Sequence, residues 1–394
     1  MRTWAILTIA LSSCTLPDRG DRIHLPDAPH PITVGDNLLD EDLVGDIDAR
    51  VRDLLEPLEV PALGLALVRD GAVIYSAAYG WADLSTEAAA TPQTPFLLAS
   101  VSKTFLGVAA LQARDDGLLS LDAPIDSLTG LSVDNPHTDG ETITLRHMLT
   151  HHSGLEDSRV YDRSYAEGDP EVTLGDFLAG YVEEGGEYYH RKNYAARQPG
   201  EAFAYSNVGA GLAAYGVEVA SGSLYSDYVA ENILVPLGMV DSAFRLDALR
   251  TEPAVLYGTT LVGGGWKPYT PYGFPTYPDG LMRSSAADMG AYVADLQGGD
   301  VLLSADSLDE MLAVDASLGT DEDGQALVWV RREMGGRTLL GHNGGDFGAS
   351  AELWIDREAG IGIVVMLNAD YIREDAWQAI FDLESDLLDL IDPK

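Results

Sequence analysis

Ser100 and Lys103 stand three residues apart at the head of a run in which Phe105, Val108, Ala109 and Leu111 recur at helical spacing. Residues three apart on a helix are neighbours, so the hydroxyl and the amine share one face. The hydroxyl also falls at the helix N-terminus, where outward-pointing backbone N–H groups favour a developing negative charge. A serine becomes a nucleophile when a base lies within hydrogen-bond reach, and an amine one turn away can act if burial makes it less basic. The pattern points to acyl transfer on Ser100, although Ser-x-x-Lys alone also fits a helix cap followed by a surface lysine. Other chemistry has less support. His151 and His152 are adjacent and point different ways on any regular element, which makes a poor metal pair. Asp321-Glu322-Asp323-Gly324 has the opening of a calcium loop without the remaining ligands. Gly263-Gly264-Gly265 has no preceding histidine, and the chain has no nucleophile-elbow serine, which argues against an α/β-hydrolase. No metal or cofactor is expected.

These residues need a scaffold, and hydrophobic periodicity outlines one. Leu43, Ile47, Val51, Leu54 and Leu58 predict a first amphipathic helix ending near Pro57. Leu63 to Val68 and Val73 to Tyr79 flank Arg69-Asp70-Gly71 and predict a β-hairpin, with Gly71 free to take a positive φ. Roughly residues 100–295 read as mostly helical, with Ser285 to Asp288 as a capping box opening one helix. Ala326 to Arg331, Arg337 to Gly341, Ala349 to Ile355 and Ile361 to Leu367 predict short strands. A last helix follows, with Trp377, Ile380, Phe381, Leu387 and Ile391 on its apolar side. The expected class is α+β: an antiparallel sheet built from both chain ends, flanking helices, and an inserted, mostly helical lobe. Trp266, Tyr269, Tyr272, Phe274 and Tyr277 form either one wall of an acyl pocket or a surface loop.

Two further motifs give the first one its context. Tyr205-Ser206-Asn207 lies inside Pro199-Gly200-Glu201-Ala202-Phe203-Ala204-Tyr205-Ser206-Asn207-Val208-Gly209, and His342-Asn343-Gly344 lies near the end of a predicted strand. Leu145-Arg146-His147-Met148-Leu149-Thr150-His151-His152-Ser153-Gly154-Leu155 and Pro236-Leu237-Gly238-Met239 accompany them. In order, spacing and layout, from about residue 40 to 390, the sequence resembles the serine β-lactamase and penicillin-binding-protein superfamily. The similar branch holds class C β-lactamases, D,D-peptidases, D-aminopeptidases and related esterases. The resemblance implies a β-lactamase/transpeptidase-like fold and makes Tyr205 the general base that returns its proton to the leaving group. Beside the Lys103 ammonium, a phenolate is expected to be stabilised. Asn207 would orient Lys103 and bind a substrate carbonyl, with His342 and Gly344 also at the substrate. The oxyanion hole implied is the backbone N–H of Ser100 with that of Gly345. Class C β-lactamases carry lysine where this chain has His342, a mostly neutral side chain near pH 7. That weakens recognition of a substrate carboxylate unless an arginine such as Arg283 or Arg191 restores the charge. Small esters, amides or peptides are the expected partners: esterase first, then D-amino-acid peptidase or D,D-carboxypeptidase, then β-lactamase. A non-turnover acyl-accepting sensor is the rival from another class; loss of Ser100, Lys103 or Tyr205 would favour it, and all three are present.

Composition bounds the remainder. With 63 acidic against 24 basic residues the formal charge is −39, and no basic patch interrupts it, so nucleic acid is not an expected partner. The sole cysteine, Cys14, follows Met1-Arg2, the apolar run Trp4 to Leu11, and Ser12-Ser13. This resembles a lipoprotein signal of residues 1–13, acylated at Cys14, and implies a lipid anchor facing the periplasm or outer membrane of a bacterial envelope. Residues 14–37, with Pro17, Pro26, Pro29 and Pro31, read as a tether, and 38–394 as the hydrolase domain.

Overall fold

The computed structural model describes residues 32–33, 39–140, 142–259, 265–315, 324–370 and 374–393. The expected leader with Cys14, Asp321 to Asp323, and Gly263-Gly264 lie outside the described residues. An antiparallel sheet organises the rest. Its long strands are β1 (Ala62–Arg69), β2 (Ala72–Asp83), β3 (Val330–Met334), β4 (Arg337–Asp346), β5 (Ala349–Asp356) and β6 (Ile361–Leu367), in spatial order β2-β1-β6-β5-β4-β3. The first two come from one end of the chain and the other four from the opposite end. They join where Leu63 pairs with Leu367 and Arg69 with Ile361. Ile32–Thr33, inside the expected tether, adds a short edge strand against Ala77 and Ala78.

The alternation of side chains along β1 and β6 sorts the core into two layers. Leu63, Leu65 and Leu67, with Ile363, Val365 and Leu367, face Ile47, Val51, Ile380 and Leu387 of two helices, α1 (Glu41–Leu58) and the C-terminal helix (Glu374–Ile391). Ala62, Ala66, Val68, Val364 and Met366 face the other way, into the core of the helical lobe. Asp40 starts α1 by accepting the Leu43 N–H at 2.8 Å, an N-cap interaction. The β1–β2 turn has both Asp70 (φ +51) and Gly71 (φ +72) in the left-handed region, the geometry a tight hairpin needs.

On the lobe side, α2 (Lys103–Asp115), α3 (Leu145–Leu149), α4 (Leu174–Val182), α5 (Asn207–Ser221) and α6 (Ala286–Gly298) are the helices that matter for the site; the C-terminal helix is α7. Short two-stranded ladders also occur there, such as Phe96–Leu97 with Arg283–Ser284. Two expectations need correction. Ser285 does cap α6 through the Asp288 N–H, but the Asp288 carboxylate turns away to the Asp241 N–H and the Ser242 hydroxyl, so no reciprocal box forms. The apolar run Ala326 to Arg331 is a strand only from Val330 on. Its first part is buried as a loop, with Val328 at φ +59 and its N–H donated to the Leu149 carbonyl at 2.6 Å, so it docks on the lobe instead of extending a ladder.

Candidate active site

Ser100 lies in a 3-10 turn, Ala99–Ser102, that runs directly into α2. Ala99 has φ +45, an uncommon conformation for a residue with a Cβ, and so the turn is bent sharply just before the hydroxyl. The other serines near the motifs are committed elsewhere. Ser102 Oγ is buried and accepts the Met282 N–H at 3.0 Å, Ser153 Oγ accepts the Leu155 N–H, and Ser206 Oγ donates to Asp157. Ser100 is partly exposed.

Lys103 is fully buried, which would be costly for a cation without partners. Its Nζ donates to Ser100 Oγ at 3.1 Å, Asn207 Oδ1 at 2.7 Å and the Asp279 carbonyl at 2.6 Å. Three N–H bonds meet three acceptors, so the ammonium is satisfied. Asn207 opens α5, and Asp157 ties down that helix start by accepting the Asn207 N–H at 2.9 Å, the Val208 N–H at 3.0 Å and the Ser206 hydroxyl at 3.1 Å. Asp279 in turn accepts the Tyr161 hydroxyl at 3.1 Å, and burial pushes its carboxyl up to about 7 against the pull of Lys103.

Tyr205 sits just before α5 with its ring centroid 5.0 Å from Lys103 Nζ. Its hydroxyl is buried and makes no hydrogen bond of good geometry, yet Lys103 and Ser100 are close enough to pull its pKa down. Burial acts the other way and wins, so the pKa is raised. Burial thus opposes the phenolate that the neighbouring ammonium favours, and it is the larger of the two influences.

His342, Asn343, Gly344 and Gly345 lie on the last part of β4. Strand β3 pairs with β4 only as far as Gly341, so from His342 on the ladder continues with β5 alone, and the Ser100 turn packs against this stretch at Gly344. Gly344 has no room for a side chain: a Cβ there would sit 2.3 Å from the Leu98 carbonyl oxygen and 2.9 Å from the Ser100 nitrogen. His342 is buried, with Nδ1 2.5 Å from the Asn343 carbonyl oxygen. That nitrogen must carry the hydrogen, leaving Nε2 as an acceptor. Burial, then the Lys103 charge, depress its pKa to about 3, so it is neutral throughout the physiological range.

Neither arginine restores a cation here. Arg283 is buried and spent on the carbonyls of Phe244, Leu281 and Tyr272, while Arg191 is exposed and bonded to the Pro136 carbonyl. The aromatic stretch divides. Tyr272 and Phe274 pack with Phe347 and Leu97 in a buried cluster beside β4; Trp266 joins a separate cluster and donates to the Glu59 carbonyl. Asp157, Tyr161, Asp279 and Asp346 were not singled out from the sequence. Only the position of Asp157, two residues after the Leu145–Leu155 stretch, offered a signal.

The family model Beta-lactamase matches residues 47–385. Among curated relatives, the putative penicillin-binding protein PbpX of Bacillus subtilis (strain 168) is 28% identical over 225 residues, which is 57% of this chain and 51% of that protein. Protein flp of Staphylococcus aureus (strain MRSA252) is 26% identical over 199 residues, 50% of this chain and 38% of its own length. The chain thus spans about half or less of these relatives. Among solved structures, the octameric penicillin-binding protein homologue from Pyrococcus abyssi has a TM-score of 0.71 at 24% identity, covering 88% of this chain and 77% of that one. The D-amino acid amidase from Ochrobactrum anthropi SV3 has a TM-score of 0.73 at 23% identity, covering 89% and 99%. These neighbours establish the shared fold, and the family model, which spans most of the chain, establishes more: this protein belongs to the Beta-lactamase family.

Proposed function

We propose that the chain is a serine hydrolase that cleaves small esters, and amides less readily, through an acyl-enzyme on Ser100. The observation that carries this reading is the buried Lys103 ammonium bonded to Ser100 Oγ at 3.1 Å, with the Tyr205 ring 5.0 Å away. The competent form is the one in which Tyr205 has lost its proton to solvent and stands as a phenolate beside the Lys103 ammonium. Ser100 Oγ then bonds to the substrate carbonyl carbon while its proton passes to Tyr205, and collapse of the tetrahedral oxyanion expels the leaving group, which takes that proton. Water repeats the sequence on the acyl-enzyme and frees Ser100. The N–H groups of Ser100 and Gly345 serve as oxyanion donors, each commonly worth about 3 kcal/mol to the transition state.

Esters are favoured because His342 offers a substrate carboxylate no positive charge, and neither Arg283 nor Arg191 supplies one. A second reading, hydrolysis of an amino-acid amide or peptide, draws support from Asp346, partly exposed on β4 one residue beyond Gly345, where a carboxylate could hold a substrate ammonium. Steady-state kinetics on p-nitrophenyl butyrate, D-amino acid amides, D-Ala-D-Ala peptides and nitrocefin, with Ser100→Ala as blank, test both. The ester is expected to have the highest kcat/KM; a cephalosporin equal to it would restore the β-lactamase reading, and no Ser100-dependent turnover would defeat the hydrolase. A fluorophosphonate probe is expected to label Ser100. Acylation at Cys14 and attachment to a bacterial envelope membrane belong to the same proposal, and Cys14→Ser is expected to move the mature protein from the membrane to the soluble fraction.

A further inference from the structure

His151 adopts φ +57 at the C-terminal end of α3 and is 1% exposed. In that conformation one residue reaches both sides of Tyr205. Its carbonyl accepts the Ala204 N–H at 2.8 Å and its Nδ1 accepts the Ser206 N–H at 3.3 Å. The imidazole then lies against the phenol ring, with centroids 4.3 Å apart and planes 31° apart. Because the Ser206 backbone N–H can only donate, Nδ1 is the unprotonated nitrogen and Nε2 bears the hydrogen, buried without an acceptor. Burial, then Lys103 and His342, hold the ring pKa well below its usual value, so the imidazole remains uncharged and adds no second cation beside Lys103.

Resting on the reading of Tyr205 as the proton carrier, we infer that His151 is a positioning residue. It suspends both neighbours of Tyr205 and clamps the phenol face, holding the hydroxyl between Lys103 and Ser100. The ring of Tyr205 has no other anchor at its tip, since its hydroxyl lacks a hydrogen bond of good geometry. Misplacement of a reacting group by about 1 Å can cost up to a hundredfold in rate, so the support behind it is consequential. The charges that bear on Tyr205 are Lys103 from α2, which stabilises the phenolate, and Asp279 from its own turn, which opposes it. His342 from β4 faces the phenol with a neutral ring, centroids 6.1 Å apart. If the phenol drifts from Lys103, its pKa rises.

The test is His151→Asn. Asparagine tolerates positive φ and can still accept the Ser206 N–H, so only the ring face is lost. The expected result is a loss in kcat of about tenfold, KM within about threefold, an unchanged Tm, and an acid limb of the kcat/KM profile moved up by about one pH unit. A folded variant with the wild-type kcat and limb overturns the inference, as does a loss of rate that tracks unfolding with the limb unmoved. His151→Phe, which keeps a ring face and drops the acceptor, is expected to leave the limb within about half a unit; a full upward shift there would place the effect in the Ser206 contact and overturn the clamp. Ultraviolet titration of tyrosinate on the Ser100→Ala background, with Tyr205→Phe subtracted, reads the phenol without turnover. A His151→Asn shift in that titration supports the clamp even if the hydrolase reading fails, and an unshifted phenol refutes the clamp even if turnover is found.

Discussion

Two buried ionisable side chains lie on opposite sides of the same sheet, and they meet burial in opposite ways. Lys103, on the lobe side, has an acceptor for each of its N–H bonds. Glu384 of α7, on the other side, is 1% exposed and has no hydrogen-bond partner on either carboxylate oxygen. Its surroundings are shaped for a neighbour: Glu352, across the β5–β4 ladder from Asn343, accepts the Trp354 indole N–H at 2.7 Å and lies 3.5 Å from Arg332. Burial, followed by the Glu352 charge, drives the Glu384 pKa well up despite Arg332. The lesson is that a buried ion persists where its shell is completed and otherwise takes up a proton. The first solution keeps a charge available for chemistry; the second makes stability depend on pH.

Breaking the completed shell should have the largest effect. Lys103→Ala leaves Asn207 Oδ1 and the Asp279 carbonyl without their donor and is expected to lower kcat at least about a hundredfold, as is Tyr205→Phe. Combining the two should cost little more than either alone, because they act as a unit, and stopped assays of single and double variants check this. Adding a cation is the next smaller change. His342→Lys should raise the nitrocefin-to-ester ratio of kcat/KM about tenfold, the scale of one partly screened charge contact; an unchanged ratio would mean that position 342 does not face the substrate carboxylate.

The smallest effect is expected on the other side of the sheet. A carboxyl whose pKa is raised by folding contributes stability that is complete below its unfolded value, about 4.3, and is lost as pH rises toward the folded value. Glu384→Gln removes that loss. Its Tm, followed by circular dichroism, should exceed wild type by about 2 °C or more at pH 8 and differ little at pH 5, with activity retained. A difference equal at both pH values would show that folding does not raise the Glu384 pKa.

How much of this could be read in the sequence follows from how local each contact is. Ser100 and Lys103 are one turn apart, so their meeting is a property of the helix alone. The N-terminal hairpin, the last two strands and the terminal helices were legible because apolar runs bounded by turn residues mark strands buried on both faces, and helical spacing marks the buried face of a helix. What completes the Lys103 shell was not legible. The Asp279 carbonyl is 176 residues away and, being backbone, carries no residue identity. Asp157 holds the start of α5 largely through main-chain N–H groups, and His151 reaches the Tyr205 segment through those of Ala204 and Ser206, contacts that no residue type announces. For Tyr205 the ammonium beside it is foreseeable from the motif, whereas the depth of burial that works against it comes from the assembled fold. Ala326 to Val328 misled because burial in a loop demands the same apolar residues as burial in a strand.

The pairing of β1 with β6 has a consequence for how the molecule is made. Leu63 and Leu367 are sheet neighbours although they are far apart in the chain, so the inner edge of the hairpin is covered only when the two halves of the sheet meet. Closing so long a loop adds an entropic penalty that grows only slowly with length, but it places the slow step of folding late, at the docking of the two chain ends. The Ser100 turn and β4 come together only at that step, so catalytic competence and completion of folding are expected to appear on the same clock.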